Sequence, residues 1–389
     1  MNALGARMRR AGSPLRLVLC AACSGIAGIA GVTGLAGCDG ASARNPEGAQ
    51  TAGGSDAANT GDVRNDSEAE SGGQVPNLPP PSLPQLAVDN LAVGAFGDVR
   101  PTNPDDSAGY PDGILRAIFT GLQTHGISVA VDSGDHCFQS TIESGGYCHD
   151  QFVNHFMLDY RAQYAGRLFP TMGNHEGCGM HAATASNCTT WTSGLVRDYL
   201  VDVVGPATGQ LSPYYSAALH GPWGTAKIVH VAANAWTAAQ GTWLEATLNV
   251  ATTYTFAIRH EPSNDTRAPG VTPSESVFAS AFGRGALTLS IVGHTHLVQL
   301  PGGTKPYGDR YGATKPYELI VGNGGAPLDA GFYYGYAILQ RRAADGAIVV
   351  QAYKAMDSDG ITPLHDAPDP SFRFAVNANG TPNASTLLP

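Results

Sequence analysis

Five short clusters in this chain carry side chains able to hold metal ions. They are Gly97-Asp98, Gly134-Asp135, Gly173-Asn174-His175-Glu176, Arg259-His260-Glu261 and Gly293-His294-Thr295-His296. The candidate ligands among them are the carboxylates of Asp98 and Asp135, a carboxamide with an imidazole, a further imidazole and a pair of imidazoles. Such oxygen and nitrogen donors suit two divalent or trivalent metals held close together. Two ions so placed can clamp the attacking and the leaving oxygen of an in-line displacement at phosphorus. Taken singly, each cluster has an ordinary explanation. A Gly-Asp after a strand is usually a turn, and a lone His260 is usually a hydrogen-bonding loop residue. The set as a whole is what points to chemistry.

These clusters need elements to position them. Short strand-like apolar runs alternate with amphipathic segments, an α/β pattern. The spacing predicts strands over 91–96, 128–131, 168–172, 227–232, 254–258 and 287–292. Helices are expected over 111–125, 151–164 and 242–249, the first with Ile114, Leu115, Ile118, Phe119 and Leu122 on one face. Strands over 318–321, 336–339 and 348–353 close the domain. Each polar cluster follows the C-terminal end of a predicted strand, the edge at which α/β sheets bind ligands. Gly322-Asn323-Gly324-Gly325 opens no helix, so it reads as a turn bringing backbone close to the site rather than as a phosphate cradle.

In order and spacing these motifs resemble the calcineurin-like metallophosphoesterase superfamily over roughly residues 91–353. The resemblance implies a four-layer α/β/β/α sandwich of two mixed sheets flanked by helices. It implies that Asp135 bridges two metal ions, of manganese, zinc or iron. Asp98 and His296 would bind the first ion, and Asn174, His260 and His294 the second. His175 would protonate the leaving oxygen or stabilise charge there, and the nucleophile would be metal-bound hydroxide. Two positions depart from the pattern. The first motif ends in Arg100 where the family has His, and an arginine cannot ligate a metal. Arg100 is read instead as a substrate-phosphate ligand, with a loop-fixing pair to Asp105 or Asp106 as the alternative. Phe138 stands where relatives carry a metal-binding Tyr or an Asp that supports the catalytic His, and His136 is a possible substitute ligand.

The ends of the chain speak to location. Residues 1–37 hold four arginines, no acidic residue and a small apolar run, a signal-peptide pattern. It ends in Leu35-Ala36-Gly37-Cys38, which resembles a bacterial lipobox and would make Cys38 the lipidated mature N-terminus. A plain signal peptide or short anchor is the alternative. Residues 38–86 lack aromatic residues and read as a disordered tether. The catalytic domain is expected over 87–356 and a tail over 357–389. Removing residues 1–37 leaves 18 of the 22 basic residues against all 32 acidic ones, a formal −14. That argues against nucleic acid or anionic lipid as electrostatically recruited partners. Bound metals would still admit phosphorylated substrates.

Cys137, Cys148, Cys178 and Cys188 remain after the leader and Cys38, an even number in an exported chain. Three pairings are possible, and 137–148 with 178–188 closes two short loops. None of the four stands in the C-x-x-C spacing of a thiolate metal site. Altogether the expectation is an exported, membrane-anchored metallophosphoesterase facing the periplasm or cell surface. It would hydrolyse a small phosphate mono- or diester. A one-metal phosphoesterase with a depleted first site, or a non-catalytic phosphate-binding lipoprotein, are the alternatives.

Overall fold

The computed structural model describes residues 85–138, 150–176, 213–301, 315–329 and 333–383. The chain divides into two compact units, Met1–Gly73 and Gln74–Pro389, and every described residue falls in the second. The expected leader, Cys38, nearly all of the tether, Cys148, Cys178 and Cys188 lie outside the described residues.

Short apolar runs, most of them buried on both faces, build two sheets. The seven-stranded one contains β1 (Gln85–Ala87), β5 (Tyr215–Gly221), β6 (Gly224–Val231), β7 (Tyr254–Arg259), β8 (Leu289–Val292), β9 (Val298–Gln299) and β10 (Glu318–Val321). Its order is β1-β5-β6-β7-β8-β10-β9; β6, β7, β8 and β10 run parallel to one another and β1 parallel to β5, while β5–β6 and β10–β9 are antiparallel. The six-stranded sheet holds β2 (Ala92–Phe96), β3 (Val129–Asp132), β4 (Arg167–Pro170), β11 (Tyr333–Arg341), β12 (Ile348–Asp357) and β13 (Pro363–Val376). Its order is β13-β12-β11-β2-β3-β4, parallel from β2 to β4 and antiparallel elsewhere.

Alternate residues of each strand face opposite layers. Val129 and Val131 point into a core shared with Phe256 and Ile258 of the other sheet, so the sheets stack face to face. Ala130, between the two valines, packs outward beneath Ile114, Leu115, Ile118, Phe119 and Leu122 of α1 (Asp112–Thr124). A π turn (Gln151–Phe156) and α2 (Met157–Gln163) complete that layer. On the far side, α3 (Ala238–Asn249) and α4 (Val271–Gly283) cover Val229, Val231 and Ala257 through Leu244, Leu248, Phe278 and Ala281. The result is the expected α/β architecture, two mixed sheets flanked by helices.

Five elements differ from the sequence expectations, two of them the strands β5 and β9, which fall where no strand is expected. Gln85–Ala87, expected at the end of the tether, pairs in parallel with β5. Pro363–Val376, expected in the tail, is an edge strand of the six-stranded sheet. Alternating Phe372 and Phe374 pack on the core, a period-2 signal in the sequence. Helix α4 was not expected, although Val271, Ser274, Phe278 and Ala281 line up along one buried face. Its Pro273 falls in the first turn, where no intrahelical N–H is needed.

Candidate metal centre

Register brings the motifs to one edge. Phe96, Asp132 and Pro170 are paired neighbours at the C-terminal ends of β2, β3 and β4. Asp98, Asp135 and Asn174 follow within a few residues. In the other sheet, His260 comes directly after β7 and His294 two residues after β8. Bonds between the sheets hold the two groups together. The Ser133 carbonyl lies 2.9 Å from His260 Nδ1, and the His294 N–H donates to Asp98 Oδ2 at 2.8 Å.

The backbone here is unusual. Asp98, Asp135, His294 and His296 all have left-handed conformations, with φ of 59°, 61°, 71° and 51°. Each non-glycine residue held so costs on the order of 1–3 kcal/mol and persists only where its surroundings enforce it. Close approach also requires Gly173, where a Cβ would come within 2.2 Å of Asp135 Oδ1. The Gly322–Gly325 turn behaves as expected: Gly324 N–H donates to the Gly97 carbonyl at 2.8 Å, laying backbone against the Asp98 loop.

Four acceptor atoms converge on one side of Asp135. His260 Nε2 lies 3.3 Å from Asp135 Oδ2, 3.0 Å from Asn174 Oδ1 and 3.2 Å from His294 Nδ1. His294 Nδ1 is 3.0 Å from Asn174 Oδ1. His260 Nδ1 faces a carbonyl, so one proton belongs there. Burial works against charge on the ring, but Asp135 and Asp98 overcome it and hold the imidazole well above its usual range, so a metal cation at Nε2 would take the place of its second proton. Lone pairs aimed at one point repel unless a cation sits among them. Separations of this size are those expected around an ion with bonds of roughly 2.0–2.2 Å. Asp98, Asp135 and His260 are the described group whose ligand atoms all lie within 4.8 Å of one another. These residues therefore fit a metal ion.

Around them stand residues whose roles the sequence reading did not assign. The buried Glu176 carboxylate accepts backbone N–H groups from Asp135 at 3.0 Å, His136 at 2.5 Å and Cys137 at 3.3 Å, and also from Gly173. It staples the Asp135 loop to the Asn174 loop. Asp265 Oδ2 lies 2.7 Å from His294 Nε2, and Arg267 Nη2 lies 2.5 Å from the same atom. Nε2 can serve only one of them. The tautomer that donates Nε2–H to Asp265 is the one that turns the Nδ1 lone pair toward the site. Arg259, fully buried, donates to the Glu261 carbonyl at 2.7 Å and pairs with Glu318 at 3.4 Å, fixing the His260 loop from below.

His136 is not a substitute ligand. It points away from Asp135, onto Asp132 and onto Glu176 at 3.5 Å. Burial works against its charge, but those two carboxylates prevail and raise it to about 10. Arg100 does not brace its loop through Asp105 or Asp106; it pairs with Asp135 at 3.5 Å. His175 Nε2 is 3.7 Å from Asp135 Oδ2, its Nδ1 has no hydrogen-bond partner, and its ring meets Phe138 edge-on at 4.5 Å. Burial pushes its imidazole down to about 4. Burial likewise raises Asp98 to about 8, with Asp135 adding to it. For Asp135 itself burial acts upward, yet His260, His175 and Arg100 outweigh it and hold the carboxyl well below its usual range. Cys137, buried nearby, is disulfide-bonded, and the expected pairings involve residues outside those described.

No protein-family model and no curated protein matches this chain. Similar solved structures include GAP50, the anchor in the inner membrane complex of Plasmodium. It is 12% identical with a TM-score of 0.47, over 75% of this chain and 90% of that one. Purple acid phosphatase PPD1 from yellow lupin seeds is 14% identical with a TM-score of 0.45, over 77% of this chain and 57% of that one. The 5′-nucleotidase of Candida albicans is 11% identical with a TM-score of 0.35, over 78% of this chain and 54% of that one. The chain thus spans little more than half the length of the lupin and Candida proteins. At such identities and TM-scores, the chemistry has to rest on the side chains themselves.

Proposed function

We propose that this chain is a metal-dependent hydrolase of phosphate mono- or diesters. The carrying observation is the convergence of Asp135, Asn174, His260 and His294 acceptor atoms at the C-terminal edge of both sheets. A bound ion there would supply an acidified water and polarise a phosphoryl oxygen. The residues do the rest. Asp265 and the Ser133 carbonyl hold the two imidazoles in the tautomers that present lone pairs. His175, 3.7 Å from Asp135, would take up a solvent proton once phosphate charge raises its basicity and give that proton to the leaving oxygen.

A dinuclear centre requires Asp98 and His296 to serve a first ion; a one-ion centre requires only the Asn174 side. Export and a lipid on Cys38 remain part of the proposal, supported by the Leu35-Ala36-Gly37-Cys38 boundary. Cys38→Ser should then move the protein out of the membrane fraction. The central test strips the full chain with chelator, restores Mn²⁺, Zn²⁺ or Fe²⁺, and follows a chromogenic monoester and diester. Hydrolysis that returns with metal supports the reading. A chain that binds metal in stoichiometric amount yet hydrolyses neither ester is a binding protein instead.

A further inference from the structure

Asp98 keeps a ligand atom within 4.8 Å of those of Asp135 and His260 and so can join the ion on the His260 side. The set of Asp98, Asp135 and His296 does not fit a further ion of its own. Asp98, Asp135 and His296 are there, but a cation already lies among them. Arg100 Nη2 is 3.3 Å from His296 Nε2, and Arg100 Nε is 3.5 Å from Asp135 Oδ2. His296 Nδ1 faces the Pro327 carbonyl at 2.8 Å, so its proton sits on Nδ1 and Nε2 offers a lone pair. A guanidinium can only donate, and it takes that lone pair, the one an ion would need. Asp98 Oδ1, 3.6 Å from His296 Nε2, makes no hydrogen bond of its own.

The guanidinium is held in place. It lies over the Phe138 ring at 4.6 Å, and Nη1 donates to the Pro101 carbonyl at 3.2 Å. Only 12% of the side chain is exposed. Phe138 thus explains a second departure from the motif pattern: the position that loses its metal-binding or His-supporting side chain supplies the face on which Arg100 rests. Nε stands 3.5 Å from Asp135 Oδ2 without closing a hydrogen bond, so an incoming oxygen could compete for it. A planar fork of this kind matches two phosphoryl oxygens.

We infer that Arg100 is a built-in cation standing where a first metal would be, so that the centre takes one ion, on the Asn174 side, and faces it with an arginine. This deepens the proposed function and rests on its metal centre. The phosphate would lie between ion and guanidinium, and Asp135 would serve both.

The test counts ions. The full chain is loaded with Mn²⁺, dialysed and measured by elemental analysis, as wild type, Arg100→His and Arg100→Ala, with circular dichroism to verify folding. The wild type should hold one ion per chain and Arg100→His two. Electron paramagnetic resonance should show an isolated ion in the first and an exchange-coupled pair in the second. Two ions in the wild type overturn the inference without any variant. So does equal stoichiometry in wild type and a folded Arg100→His. No ion in the wild type but one in Arg100→His would sink the Asn174-side centre while keeping Arg100 as the block. None in either would sink both.

Discussion

The two sides of Asp135 use similar donors to different ends. On the Asn174 side, two imidazoles, a carboxamide and the shared carboxylate turn lone pairs on one another at 3.0–3.3 Å. On the Asp98 side, the lone pair of His296 already has a partner in Arg100. Both sides pay out similar backbone strain, with left-handed Asp98 and His296 matching left-handed Asp135 and His294. The difference teaches that ligand types and a strained scaffold do not make an ion site by themselves. What matters is whether another positive group satisfies the donors first. A single side chain, Arg100, separates the two outcomes.

The largest effect should come from the residue common to both sides. Asp135→Asn removes charge from ion and guanidinium alike. Loss of one donor to reacting oxygens already costs about 10²–10³-fold, so turnover should fall by ~10³-fold or more and ion content should drop with it. Full ion content and turnover in this variant would remove Asp135 from the centre.

Next is the staple. Glu176→Gln presents an amide nitrogen to several backbone donors, and each buried donor left unmet costs about 1–3 kcal/mol. Denaturant titration should show a loss of about 3 kcal/mol or more. An unchanged midpoint would mean the two loops are held by something else.

Two smaller changes sharpen the contrast. Asp265→Asn should weaken ion affinity by about 10–100-fold, the usual cost of losing the group that orients a ligating histidine. His296→Ala should leave ion content unchanged, because its lone pair belongs to Arg100. Calorimetric titration of both variants with Mn²⁺ checks the pair. Equal losses in the two would erase the distinction between the sides.

A last test lies away from both sides and serves as their control, since it should leave the metal centre untouched. His230 is fully buried beside the Thr171 hydroxyl at 2.7 Å and stacked on Tyr215 at 4.4 Å. Burial holds it down to about 3. The unfolded chain binds its proton near 6.5 while the folded chain does not. Stability is therefore full above pH 6.5 and falls as pH drops toward 3, by about 1.4 kcal/mol per unit. His230→Gln should flatten that limb of the pH–stability curve without moving metal content. A limb that keeps its slope would assign the proton elsewhere.

What the sequence determined by itself was local. Short apolar runs marked Glu318–Val321 to the residue and β2, β3, β4, β6, β7 and β8 to within a few, though not β5. The 3.6-residue stripe marked the buried face of α1. Motif order then put Asp98, Asp135, Asn174, His260 and His294 at one edge, because each follows the end of a strand and parallel strands end together. The tertiary structure decided which partner each side chain meets. Arg100 and His296 are 196 positions apart, and Asp135 and Glu176 are 41 apart. His136 carries a ligand's chemistry next to Asp135 yet faces Asp132. Asp265 looks like an ordinary loop acid until His294 is placed beside it. Periodicity is a property of neighbours along the chain and can be read there. The partner of a charge is set by packing between layers, and one arginine at the right distance is enough to change what a set of ligands can hold.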